Sequence, residues 1–164
     1  MRQVLPQNID WPSFIGNFIL NYGALDLALT DVLKRRLPEE CWNALTKKSF
    51  HERVLRLGKL AGEQPEMIAQ KQQWDSLIHS LKPLRDFRNL LAHSTLVHTL
   101  SEDGRTVTQT LSFTDDVSAS KDERQRVTFE ELLSQAAVLA DIIGELLSLD
   151  GECRGDSGVN EPKN

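Results

Sequence analysis

The chain has 164 residues, 40% of them hydrophobic, with two cysteines and a formal net charge of -5. That length supports one domain with a real core and leaves little for a second, while Cys41 and Cys153, far apart, give neither a disulfide framework nor a metal-ligand spacing. Pro6 and Asp10 interrupt the N-terminus where an export signal needs an apolar run, and Asn17, Asn21, Asp26 and Asp31 break the longest apolar segment, so the expectation is a cytoplasmic protein with no membrane span.

In chain order, apolar residues recur at 14, 15, 18, 19, 22, 25, 29, 32 and 33, the spacing of an amphipathic helix that Pro38 shuts off. Ser49 and Glu52 have the spacing of a capping box, and Phe50, Val54, Leu57 and Ala61 continue it as a second helix ended by Gly62. A third helix starts near Pro65 and carries Trp74, Leu77, Ile78, Leu81, Leu84 and Leu91 on one stripe, with a kink expected at Pro83. The period then changes. Two Thr/Val/Leu-rich runs joined across Asp103-Gly104 predict a β-hairpin over about 95–113, and the polar run 114–127 predicts a mobile loop. Thr128 and Glu131 form a second capping box opening a fourth helix, with Phe129, Leu132, Leu133, Ala136, Leu139, Ile143 and Leu146 inward as far as Gly151. Residues 151–164 read as a disordered tail after a domain spanning 1–150. The expected fold class is therefore all-α, an antiparallel four-helix bundle with one inserted β-hairpin.

Charge is unevenly spread. Residues 34–93 hold 12 Lys/Arg against 7 Asp/Glu, a net of +5, and the remainder carries a net of -10. The middle of the chain is thus the place where phosphates would be met. Within it, LRDFRNLLAHS puts polar side chains into an apolar helical pattern. Arg85, Asn89 and His93, each four apart, form a polar line up one helix face, and Arg88 falls on or beside the apolar stripe. A guanidinium there needs either water at the bundle edge or an acid, and Asp26, which breaks the apolar stripe of the first helix, is the expected partner of Arg88 or Arg85. An imidazole, a cation and an amide near one helix end suit phosphodiester cleavage without a metal: the imidazole moves a proton near neutral pH and the guanidinium holds charge on the phosphorus. No Cys/His cluster or Gly-rich phosphate loop points to a metal or a nucleotide cofactor.

The stretch RNLLAH, residues 88–93, resembles the R-N-x-x-x-H form of the R-x4-6-H motif of HEPN domains, which lies at the end of a bundle helix. The resemblance implies a HEPN-like domain and a metal-independent endoribonuclease of toxin or antiviral-defence type. In such proteins two subunits bring their motifs together to form one RNA groove. It makes Arg88 and His93 catalytic, and Asn89 a residue that orients the site or touches phosphate; Arg85 and Asp26 are added from the helical pattern alone. RNA and a second copy of the chain are the implied partners, with an antitoxin or other regulatory protein beyond them. The alternative is a non-catalytic HEPN module that contacts nucleotide or a partner protein. Thr95 stands where HEPN toxins under nucleotidyltransferase control often carry Tyr, a departure that argues against control by adenylylation.

Overall fold

A computed structural model describes residues 10–100, 107–113 and 125–155. Within them six helices and three strands follow in order: α1 (Trp11–Arg36), α2 (Glu39–Leu45), α3 (Phe50–Glu63), α4 (Pro65–Ile68), α5 (Lys71–His93), β1 (Thr95–Leu100), β2 (Val107–Phe113), β3 (Gln125–Val127) and α6 (Phe129–Gly155).

Local chemistry sets the helix ends. The Asp10 side chain accepts from the Ser13 N–H and so caps α1, whose second residue is Pro12. Ser49 and Glu52 close a reciprocal capping box on α3: the Ser49 N–H donates to the Glu52 carboxylate at 2.9 Å and the Glu52 N–H to Ser49 Oγ at 3.3 Å. Thr128 and Glu131 repeat it at the start of α6, at 2.7 and 3.2 Å. Pro83 lies inside α5 without ending it.

Helix directions follow from who meets whom. Trp11 packs edge-on against Phe129 and Arg36 reaches Asp150, so α1 and α6 run parallel. Tyr22 meets Phe50 and Arg36 meets Gln64, so α3 runs the same way. Phe18 meets Phe87 while Arg36 lies over Trp74, so α5 alone is antiparallel to these long helices. The core between them holds Phe18, Leu25, Leu29, Leu57, Trp74, Leu81, Leu84, Leu139 and Leu146, all essentially solvent-free. Each such side chain contributes about 1.5–3 kcal/mol through burial.

The helical class fits, but the rest of the expected fold class is corrected. The bundle is not up-down: α2, a short helix that periodicity does not reveal, lies in the return from the end of α1, so that α3 starts beside Tyr22 and runs parallel to α1. Nor is the isolated inserted β-hairpin seen. β1 and β2 pair antiparallel from Thr95↔Ser112 to Leu100↔Val107, and β3 adds to the other edge of β2, from Leu111↔Val127 to Phe113↔Gln125. β3 falls in the stretch expected to be loop, and the physical reason for its order is Val127, 2% exposed and part of the core. The Asp103-Gly104 turn lies outside the described residues, as does most of the expected tail, although α6 continues through 151–155 rather than stopping at Gly151. The third helix is also split, α4 being a single turn before α5.

By length and composition α6 is apolar enough to cross a membrane, the only such helix among the described residues. Its Leu132, Leu139, Ile142, Leu146 and Leu149 nevertheless face the bundle core, whereas Val138, Leu147 and Leu133, the last expected inward, stay exposed.

Candidate functional site

The C-terminal half of α5 carries the motif. Arg85 and Arg88 are half-buried, and Asn89 and His93 are exposed. Arg88 Nη1 donates to Asn89 Oδ1 at 3.1 Å, tying the two neighbouring motif residues together. Arg85 grips its neighbour Asp86, with Nε at 2.9 Å and Nη2 at 2.6 Å. His93 is the last residue of α5, and the helix end is closed by Ser94, whose N–H donates to the Leu91 carbonyl and whose Oγ donates to that of Leu90. Ser94 thus satisfies carbonyls that a last turn otherwise leaves open.

Asp26 does not pair with Arg88 or Arg85. It forms its ion pair with Arg53 of α3. The reason lies in the helix directions: Phe50 packs on Tyr22, and one turn further along the parallel helices Arg53 reaches Asp26. The pair is half-open, with side-chain exposures of 13% for Arg53 and 36% for Asp26, so it is not the buried pair expected. Arg53 Nε is buried and has no hydrogen-bond partner among the described residues.

The residue that joins these groups is Tyr22, the only tyrosine in the chain. Its side chain is buried. Burial pushes the phenol well above its ordinary range and the Asp26 carboxylate adds to this, while Arg88, Arg85 and Arg53 pull the other way. The phenol is therefore a neutral proton donor at any physiological pH, under a field from three guanidinium groups on two helices. Periodicity alone makes Tyr22 one more apolar position; the signal that could single it out is its hydroxyl, one turn before Asp26.

A second polar cluster occupies the far end of the bundle, where the sequence pattern points to no site. Asp150, 1% exposed, accepts from Arg36 Nε and Nη2 at 3.2 and 2.8 Å and from Arg35 Nη2 at 2.8 Å. Burial raises the Asp150 carboxyl, but the hydrogen bonds and charges of Arg36 and Arg35 outweigh it and hold the group below the usual carboxylate range. Arg36 also donates to Gln64 Oε1 and lies over the Trp74 ring at 5.9 Å. Asp150 is met by both arginines, and the cluster acts as a clasp between α1, α5, α6 and the Gln64 cap that ends α3.

Among the described residues no three His, Cys, Asp or Glu side chains gather as a metal would require. Compared with known proteins, the chain matches no family model, and no curated protein or solved structure is significantly similar to it.

Proposed function

We propose that the protein is a metal-independent endoribonuclease of HEPN type that cuts single-stranded RNA by attack of the ribose 2′-hydroxyl. The observation that carries the reading is the state of the motif on α5: a half-buried Arg88 linked to Asn89, and an exposed His93 at the helix end, with Arg85 one turn before Asn89 on the same helix. The imidazole of His93 takes the proton from the 2′-hydroxyl or returns one to the leaving 5′-oxygen. Arg88 holds the charge that accumulates on the phosphorus oxygens, with Asn89 fixing the guanidinium.

Arg88 and His93 are five residues apart, about 140° around the helix axis, so one α5 turns them to different faces. Two copies meeting across a twofold axis, α5 against α5, bring both residues of both chains into one groove. The role is that of a toxin or defence effector in the cytoplasm, held in check by a regulatory protein.

The test is product chemistry. In EDTA the purified protein converts RNA to fragments with 2′,3′-cyclic phosphate and 5′-hydroxyl ends and leaves a deoxyribose strand intact. Cleavage that requires magnesium overturns the mechanism, and RNA binding without cleavage replaces it with the non-catalytic module.

A further inference from the structure

Between α3 and α5, one to two turns before the motif, lies an open cleft of about 220 Å³. Its floor is apolar, built from Phe50, Val54, Ile78 and Leu81. Its rim carries His51 from α3 and His79, Lys82 and Arg85 from α5, with no carboxylate among the lining residues. The side chains of His51, His79 and Lys82 make no hydrogen bond or ion pair among the described residues. Arg85 spends Nε and Nη2 on Asp86, leaving Nη1 without a bond there.

We propose that this cleft is a subsite for one nucleotide of the RNA strand, a proposal that rests on the ribonuclease reading of the motif. The chemistry selects this ligand in three ways. The volume is below that of pockets for drug-sized molecules and suits a single planar ring system. Three flat side chains, Phe50, His51 and His79, line it, and stacking on such rings accepts any base. Lys82 and the free Nη1 of Arg85 put donors on the rim, and the only acid bonded to them, Asp86, lies outside the lining, which complements a phosphate rather than a neutral ligand. Lys82, Arg85, Asn89 and His93 then follow one another along one side of α5 at helical spacing, covering about 16 Å from cleft to motif. A strand laid on this track has one base in the cleft and a phosphodiester a few nucleotides further along at His93. The cleft residues are therefore positioning groups, and they never touch the reacting atoms.

The experiment uses the full chain and three measurements: RNA cleavage in EDTA, binding of a single-stranded RNA oligomer, and binding of adenosine monophosphate read from the His51 and His79 ring resonances. The variants are Lys82→Glu and Leu55→Trp, the latter placing an indole at the cleft wall from a position 60% exposed. The expected result is roughly tenfold weaker oligomer binding in each variant. KM rises by the same factor with kcat within about twofold, because the remote contact is made equally in ground and transition states. Adenosine monophosphate shifts both ring resonances and competes with the oligomer. A parent that cleaves RNA while both variants keep its KM, or rings that do not respond to the mononucleotide or the oligomer, overturns the subsite and leaves the ribonuclease reading standing. Ring shifts with the mononucleotide in a protein that never cleaves RNA overturn the ribonuclease reading and leave the cleft as a free-nucleotide site.

Discussion

The two ends of the bundle use arginine in opposite ways. At one end Arg36, 7% exposed, is paired with a buried Asp150, braced by Gln64 and stacked on Trp74, so the buried charges meet each other inside the protein. At the other, Arg85 and Arg88 hold only a sequence neighbour each, Asp86 and Asn89, and stay half-exposed, while Asp26 is drawn away to Arg53. A cation that is fully paired in a dry site serves stability, because removing its partner leaves an uncompensated charge. A cation that keeps donors at the surface is available to an outside anion. The contrast assigns structure to the Arg36 end and leaves the Arg88 end open to an outside anion, as the proposed ribonuclease requires.

The contrast breaks if the two ends respond alike to mutation. Asp150→Ala should have the largest effect on stability, on the order of 3–5 kcal/mol by denaturant unfolding, since Arg36 loses its buried counter-ion. Its pH dependence has a definite sign. The folded Asp150 carboxyl lies below its ordinary value, so the stabilisation is complete above the ordinary carboxylate range and is lost as pH falls through the folded value. The gap in stability between parent and variant is thus flat near neutrality and closes only in strong acid.

Arg88→Lys sharpens the comparison from the other side. Charge is kept but the two-pronged contact to phosphate is lost, so cleavage drops by roughly tenfold or more while the unfolding midpoint stays near that of the parent. Ser49→Ala removes one half of the α3 capping box and costs about 1 kcal/mol in thermal or denaturant unfolding. Asp26→Asn comes last, at ~0–1 kcal/mol, because its pair with Arg53 is half-open. A loss above ~3 kcal/mol there would place Asp26 with Asp150 and erase the distinction between the ends.

How much of this is legible in the sequence depends on the range of the interaction. The capping boxes at Ser49/Glu52 and Thr128/Glu131 span three residues, and the order of residues alone reveals both. The four long helices are equally plain, since their apolar periods are local. The short α2 is not, for EECWNAL has no period to show and its Pro38 cap makes no side-chain bond. The clasp joins residues 114 and 115 positions apart, and an aspartate just before Gly151 reads like any helix end. Asp26 stands out as a break in its apolar stripe, but its partner depends on α3 running parallel to α1, which short connections between helices do not suggest. β3 is hidden because a single buried Val127 within a polar run orders it.

The most direct test of the proposed chemistry is the rate of RNA cleavage in EDTA by His93→Ala, measured on protein shown to be folded by its unfolding midpoint. His93 is exposed at the end of α5, so its loss should leave the midpoint within about a degree or two of the parent's. The expected rate is reduced by ~10²- to 10⁴-fold, the range of a lost proton-transfer group. A folded His93→Ala protein that cuts RNA as fast as the parent would contradict the assignment of His93 as the group that moves the proton.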